Sequence, residues 1–330
     1  EISHGVAIFL LKYNLVPKKK KIVKYITKIN FLNFKLTHPV GLAAGFDKNA
    51  EALPGLLKQN FSFIEIGTVT PLPQIGNSKP RVFRVPEEKS IINKLGFPNL
   101  GASKIFNNLC KIRKYHTLGL EPLIGVNIGC NKNTKNPIKD YEKCFEIFCS
   151  VADYITINVS SPNTPGLRKL QLQNNLAPLL KTLSNKREEY FKKNKRKIPL
   201  VLKIAPDLVD SDLKSIVKLI KSYQIEGIIA TNTSINKKII QNKKYTKLQG
   251  GISGNALYKN SNNILKKLHK FSKGNITLIG VGGIDSGEKV FKKIKLGANA
   301  VQVYSSLIYN GISIVDKMVL DFVKLSKLNK

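Results

Sequence analysis

The sequence predicts an α/β chain folded as a (β/α)8 TIM barrel with a small N-terminal helical extension. Three observations carry that expectation. After Pro39, eight short apolar runs read as strands, and helix-length segments separate most of them. Nearly every run ends in an amide, a hydroxyl, a lysine or a glycine, which suits the C-terminal mouth of a barrel. The stretch up to Leu36 has a different rhythm, helical and rich in lysine.

At 330 residues the chain suits one large barrel plus an appendage. An apolar fraction of 42% supports a substantial core, yet no run of about 20 apolar residues marks a membrane span. The formal net charge is +34, from 55 Lys+Arg against 21 Asp+Glu. Such a charge points first to a polyanion, either nucleic acid or an anionic membrane surface. Nearly all of the excess is lysine, however, while arginine, the better reader of bases and phosphates, is scarce. Most of the charge therefore reads as solvated surface, and no nucleic-acid partner is expected. Cys110, Cys130, Cys144 and Cys149 form no CxxC pair and no zinc spacing, which fits a reducing compartment. No His/Asp/Glu cluster suggests a metal, and none is expected.

Residues 1–36 read as an N-terminal amphipathic helical segment and residues 37–330 as the barrel domain. In the first unit, Ile2, Val6, Phe9, Leu10 and Tyr13 share one helical face. Pro17 and the run Lys18-Lys19-Lys20-Lys21 interrupt it, and Ile22, Val23, Ile26 and Ile29 then mark a second short helix. A basic amphipathic pair suits a membrane surface, a cap docked on the barrel, or both. Glu1 already falls within the first helical pattern, so further residues are expected ahead of it.

The barrel strands read as Val40–Ala44, Ser62–Ile66, Leu123–Ile128, Tyr154–Val159, Leu200–Ile204, Gly227–Thr231, Thr277–Val281 and Ala300–Tyr304. Among the intervening helices are Asp210–Tyr223, Asn262–Phe271 and Gly287–Leu296. Two connections are long. Residues 71–101 contain a hairpin pattern, Arg81–Val85 with Ile91–Lys94, and residues 161–199 contain a charged helix, Asn185–Lys197. Long loops of this kind commonly serve as lids or binding loops.

The strand tips carry the chemistry. In order they supply Ala44-Gly45-Phe46-Asp47-Lys48, Gly67-Thr68, Asn127, Asn158 to Asn163, Lys203, Thr231-Asn232-Thr233, Gly280 to Asp285 and Tyr304-Ser305-Ser306. The fourth tip must leave its strand, because Pro162 removes a ladder donor and Pro165-Gly166 follows. Glycines after strand seven and small residues after strand eight leave backbone N–H groups for a phosphate. Gly280-x-Gly282-Gly283 is not a dinucleotide fingerprint, since it lacks the third glycine and an acidic partner at the right distance. Lys203 lies inside an apolar run, where a cation needs an anionic or electron-rich neighbour unless it snorkels to solvent. Lys48, after a glycine turn, is either a carboxylate binder or a solvated loop lysine. His4, His38, His116 and His269 lie away from the tips, and no carboxylate pair faces them. Ser-His-Asp hydrolysis and glycoside hydrolysis are thereby disfavoured.

Five runs in order, Gly41-Leu42-Ala43-Ala44-Gly45-Phe46-Asp47-Lys48-Asn49, Glu65-Ile66-Gly67-Thr68-Val69-Thr70, Asn93-Lys94-Leu95-Gly96-Phe97, Asn158 to Arg168 and Gly280 to Asp285, resemble class 2 dihydroorotate dehydrogenase. That family comprises quinone-dependent flavoproteins of pyrimidine biosynthesis, and its class 1 relatives carry a cysteine base where this chain has Ser161. The resemblance implies FMN across the mouth, bound by Ala44, Gly45, Phe46, Asp47, Lys48, Thr68, Asn127, Asn158, Lys203, Thr231 and Gly254. Its phosphate would rest on Gly283, Tyr304 and Ser305. Dihydroorotate would be held by Lys48, Asn93, Lys94, Leu95, Gly96, Phe97, Asn158, Asn163, Asn232 and Thr233. Ser161 would take the C5 proton while C6 gives a hydride to the flavin, forming orotate, with a proton route to water near Thr164 and Phe97. Lys203 would stabilise the negative charge of the reduced flavin. The N-terminal helices would enclose a tunnel for a membrane quinone, with Arg84 and Tyr304 on its flavin side. The resemblance thus implies a monomeric peripheral membrane protein on the cytoplasmic face of a bacterial inner membrane, resting on anionic lipid. A tRNA dihydrouridine synthase, another FMN barrel, would suit the charge, but its catalytic cysteine and RNA-binding domain are not evident.

Overall fold

The computed structural model describes residues 1–19 and 29–328. Along the chain run α1 (Ile2–Lys12), β1 (Ile29–Phe31), β2 (Phe34–Leu36), β3 (Val40–Leu42), α2 (Leu53–Leu56), β4 (Phe63–Val69), β5 (Val82–Val85), β6 (Ser90–Asn93) and α3 (Ala102–Arg113). There follow β7 (Leu123–Ile128), α4 (Pro137–Phe148), β8 (Tyr154–Asn158), α5 (Gln173–Asn194), β9 (Leu200–Ile204), α6 (Asp210–Ser222) and β10 (Gly227–Ala230). The chain ends with β11 (Gly251–Gly254), α7 (Tyr258–Ser272), β12 (Thr277–Val281), α8 (Gly287–Lys295), β13 (Ala300–Val303), α9 (Ser305–Asn310) and α10 (Ile314–Leu328).

The eight expected barrel strands are present and close in the order β3-β4-β7-β8-β9-β10-β12-β13, with β13 pairing in parallel to β3. Their residues are buried almost throughout, as parallel strands covered on both faces require. Some boundaries move. β4 runs on to Val69 rather than stopping at Ile66, and α5 begins at Gln173, well before the charged stretch at Asn185. The cause of the longer helix is a buried stripe of Leu176, Leu179, Leu180 and Leu183 at helical spacing.

Below the barrel lies a second core. The antiparallel β1–β2 hairpin presses Phe31 and Leu36 against Phe63, Leu123, Tyr154, Val201, Ile229 and Ile279. Phe31 stacks on Phe63 at 4.6 Å and meets Tyr154 edge-on at 5.7 Å. Ile29 therefore belongs to a strand rather than to a second helix, a correction to the sequence expectation. Lys20, Lys21, Ile22, Val23 and Ile26, the rest of that expected helix and its lysine turn, lie outside the described residues. The first helix is present as α1, which packs its buried Leu11 on α2. The approach is close enough that a Cβ on Gly55 would lie 2.5 Å from the Leu11 carbonyl oxygen.

At the opposite end, the expected hairpin appears as β5–β6, and β11 adds to β6 to make a three-stranded antiparallel sheet over the mouth. Among the described residues no helix is long and apolar enough to cross a membrane.

Candidate active site

A cleft opens between the barrel mouth and this covering sheet, with about 1370 Å³ of empty space counted out to its opening. Of the residues singled out from sequence, Ala44, Gly45, Lys48, Thr68, Asn93, Leu95, Gly96, Phe97, Asn158, Ser161, Asn163, Lys203, Thr231, Asn232, Thr233, Gly254, Gly283, Tyr304 and Ser305 line it. Asn127 lies beneath the surface, fully buried. Phe46, Asp47 and Arg84 line a neighbouring cavity, and Lys94 lines neither. The Lys94 backbone is taken up elsewhere, with its N–H on the Arg81 carbonyl and its own carbonyl on the Asn77 amide.

The floor of the cleft is one hydrogen-bonded network. Asn158 Nδ2 donates to Thr68 Oγ1 and to Asn127 Oδ1, each at 3.0 Å, and Thr68 Oγ1 donates to Asn127 Oδ1 at 2.6 Å. Asn127 Nδ2 in turn donates to Glu65 Oε1 at 2.8 Å. Thr156 Oγ1, Tyr154 Oη and Gln302 Nε2 all donate to Glu65 Oε2, at 3.0, 3.3 and 2.8 Å. Four neutral donors thus hold one fully buried carboxylate in the barrel interior. Sequence reading gave Glu65, Gln302 and Thr156 no role. The signal was available, since an acid and an amide each interrupt an otherwise apolar strand.

The fourth tip bends as its prolines demand. Ser160 Oγ donates to Asn158 Oδ1 at 2.8 Å, and Asn232 Nδ2 donates to Ser160 Oγ at 2.9 Å, tying the tips of β8 and β10 together. Ser161 is buried, and its Oγ accepts the N–H of Asn163 at 3.2 Å. Asn163 Nδ2 reaches Asn93 Oδ1 at 3.2 Å across the cleft mouth. Arg168, also without a role from sequence, staples this loop. Its guanidinium donates to the carbonyls of Ser160 (3.1 Å) and Thr233 (2.7 Å) and to Asp207 Oδ2 (2.8 Å).

Burial governs the charged groups here. It pushes the Lys48 ammonium down to about 8, with Asp47 acting weakly in the other direction. Lys48 Nζ donates to the Gly45 carbonyl at 2.7 Å. Lys203 is likewise lowered by burial and partly restored by the Glu65 carboxylate. Burial also pushes the Tyr304 phenol up to about 12, so it stays a neutral donor. Asp47 is raised to about 6 by burial despite N–H donors from Asn49, Glu51 and Ala52, and it fixes the turn rather than facing the cleft.

The other end of the cleft is built from glycine. Gly282 and Gly283 follow β12 with φ of 111° and 72°, a region that favours glycine. The Gly283 Cα packs so closely on α7 that a Cβ would lie 2.5 Å from that of Tyr258. Gly254, Tyr304 and Ser305 complete this end, and Ser305 Oγ donates to Ser253 Oγ at 2.9 Å.

A second cavity adjoins the first through Tyr304. Its walls are Ser3, His4, Ala7 and Ile8 of the α1 region, with Phe46, Arg84, Leu307 and Ile308 of the barrel. Aromatic rings step inward from His4 to Phe46 (5.2 Å) and from Phe46 to Tyr304 (6.2 Å). Burial holds the His4 imidazole down at about 4, so it is neutral near pH 7.

Known proteins share both sequence and architecture. The family profile described as dihydroorotate dehydrogenase matches residues 26–325. A dihydroorotate dehydrogenase (quinone) of Buchnera aphidicola is 42% identical over 324 residues, spanning 97% of this chain and 95% of that protein. Its namesake from Bartonella tribocorum is 40% identical over 325 residues, spanning 98% of this chain and 88% of the other. Crystal structures of DHODH from Eimeria tenella superpose with TM-scores of 0.94 ligand-free and 0.93 in complex with ferulenol, at 32% identity. They cover 100% and 99% of this chain, and are themselves covered to 95% and 92%. With a barrel, a polar mouth and near full-length likeness in agreement, this chain belongs to the dihydroorotate dehydrogenase family.

Proposed function

We propose that this chain oxidises (S)-dihydroorotate to orotate in pyrimidine synthesis, with FMN as its bound cofactor, Ser161 as the base and a membrane quinone as the final electron acceptor. The observation that carries the reading is the convergence of three features on one cleft: the Ser161 hydroxyl, the buried Lys203 ammonium and the Gly282-Gly283 turn. FMN fits the residues present. Thr233 Oγ1, Gln302 Oε1 and Ser306 Oγ are buried without partners and line the cleft, which calls for a polar ligand there. The residues that would hold it are Ala44, Gly45, Thr68, Asn158, Lys203, Thr231 and Gly254, with Gly283, Tyr304 and Ser305 at its phosphate. When bound, FMN supplies the two-electron acceptor for the hydride from C6 and the route onward to quinone.

The chain's own side chains do the rest. Lys48, Asn93, Asn163, Asn232 and Thr233 orient the substrate, and the Lys48 ammonium pairs with its carboxylate. Ser161 Oγ receives the C5 proton as its own hydroxyl proton departs toward water, and the Asn163 N–H donated to that oxygen favours the negative charge it carries in the exchange. Thr164, the next hydroxyl along the loop, buried and with its Oγ1 unpartnered among the described residues, is the group we assign to pass that proton outward. Lys203 brings positive charge to the electron-accepting end of the site. Of the N-terminal segment expected over residues 1–36, the α1 region forms the quinone side, whereas β1 and β2 close the far end of the barrel; residues 37–330 form the catalytic unit, and the cavity flanked by His4, Arg84 and Tyr304 admits the quinone. On this reading the protein is a monomer seated peripherally on anionic lipid at the cytoplasmic face of a bacterial inner membrane, with no nucleic-acid partner.

An anaerobic titration tests it. The purified protein should be yellow, and dihydroorotate should bleach its absorbance near ~450 nm, as reduction of a flavin does. A quinone analogue should restore the colour, whereas fumarate and NAD should not. Protein that binds flavin but is not bleached by dihydroorotate removes the proposal.

A further inference from the structure

Behind the glycine turn, on the side away from the cleft, lies a lysine that nothing above employs. Lys293 of α8 is fully buried, and no ion pair among the described residues includes it. Its Nζ donates to Ser261 Oγ of α7 at 2.7 Å and approaches the Val281 carbonyl at 3.5 Å. Ser261 Oγ reaches the Gly282 carbonyl at 3.2 Å and, as an alternative acceptor for its single proton, the Tyr258 carbonyl at 3.0 Å. The fit is tight, since a Cβ on Gly280 would lie 3.0 Å from Lys293 Cδ and one on Gly282 would lie 2.9 Å from Ser261 Oγ.

We propose that Lys293 and Ser261 form a backing to the turn that aims the N–H groups of Gly282 and Gly283 into the cleft and gives the site its preference for a phosphorylated flavin. The inference rests on the FMN reading above. Its first part is geometric. In a planar trans peptide the C=O and N–H point in opposite directions. The Val281 oxygen accepts the Thr231 N–H at 3.2 Å with Lys293 Nζ behind it, and the Gly282 oxygen is held by Ser261, so the N–H groups of Gly282 and Gly283 turn the other way. Both glycines line the cleft, and neither N–H has a hydrogen-bond partner among the described residues. The second part is electrostatic. A buried cation with no carboxylate beside it is costly, and a phosphate on the far side of the turn would supply the missing negative charge. Burial alone drives the Lys293 ammonium down to about 7, so an anion nearby would help keep it charged. Lys293 acts through the turn and is thus a positioning residue, not a catalytic one.

Flavin-stripped protein titrated with FMN and with riboflavin, followed by quenching of flavin fluorescence, separates the phosphate contribution from that of the ring. Lys293→Met should weaken FMN binding by about tenfold or more while leaving riboflavin within about twofold, because one charge-assisted contact is lost on one ligand only. The same variant, free of flavin, should melt no lower than the parent, since an unpaired buried charge has gone, and should gain less on adding FMN. Ser261→Ala should shift the FMN-to-riboflavin ratio in the same direction by a smaller factor, and it alone decides the matter should Lys293→Met fail to fold. An unchanged ratio, or equal losses on both flavins, overturns the inference while leaving the functional reading intact. Parent protein that binds neither flavin brings down both.

Discussion

Ser161 and Lys48 show how far single side chains can be read. Among the described residues no histidine or carboxylate is hydrogen-bonded to Ser161, and its Oγ accepts the Asn163 N–H. A serine so placed gains basicity only from its surroundings, so removal of its oxygen should abolish the proton step and little else. Ser161→Ala should purify with a full complement of flavin, yet be reduced by dihydroorotate about 10²- to 10⁴-fold more slowly in a stopped-flow trace, the usual span for a positioned acid–base group. Lys48 carries a pH signature. Burial lowers it to about 8, so it is charged below that pH and neutral above it. The substrate anion needs the charged form. In free enzyme, kcat/KM for dihydroorotate should fall about tenfold per pH unit above 8, and Lys48→Met should lose this limb of the profile. Both residues were visible in the sequence because strand tips stand out where apolar runs stop. Glu65 was not, although it carries the floor of the site. Its role depends on Asn127, Tyr154, Thr156 and Gln302 meeting it from three other strands, which only closure of the barrel brings about. Glu65→Gln puts a donor among these donors and should lower stability by about 2–3 kcal/mol in a urea titration, the cost of an unsatisfied buried polar group.

At the level of elements, the eight barrel strands were legible because each is a short run buried on both faces, bounded by turn residues. The smaller strands were not. β1 and β2 have three residues apiece, too few for alternation to declare itself, and the turn places Leu32 at a φ of 53°, unusual for leucine. β11 contains two glycines, and its strand character comes from pairing with β6 over the mouth. The same dependence on neighbours hides Arg168, which reads as one more surface cation. In the fold it joins the loop after β8 to those after β9 and β10. Ser161 and Thr233 sit on the loops it joins, so its loss should loosen the base relative to the substrate. Arg168→Lys keeps the charge but cannot reproduce the fork. We expect kcat to drop between about tenfold and about 10²-fold with flavin content unchanged, since a displacement of the reacting groups by ~1 Å can cost about 10²-fold. Steady-state assays beside an absorbance measure of bound flavin check it, and an unaltered kcat would show that the loop holds its shape without the staple.

Taken as a whole, the molecule combines a formal charge of +34 with an apolar helix face that no described residue covers. Ile2, Val6, Phe9 and Tyr13 of the α1 region are more than half exposed, although the opposite side of the helix packs on α2 and borders the second cavity. Composition alone could not tell a membrane-facing surface from a nucleic-acid-facing one. The position of the apolar face is what supports the proposed lipid contact, because it lies beside the cavity through which a hydrophobic electron acceptor would enter. Charge and apolar burial then make separable contributions. Electrostatic attraction is screened over about 8 Å at physiological salt, whereas apolar burial is nearly indifferent to it. Co-sedimentation with phosphatidylglycerol vesicles should therefore fall steeply as salt rises from ~50 mM to ~500 mM, leaving a residual bound fraction. The double substitution Val6→Glu with Phe9→Glu should abolish that residue of binding and slow turnover with a vesicle-borne long-chain quinone. Because neither side chain lines the cleft, turnover with a short soluble quinone analogue should be preserved. Equal salt-resistant binding by the variant and the parent would place the lipid contact elsewhere on the surface.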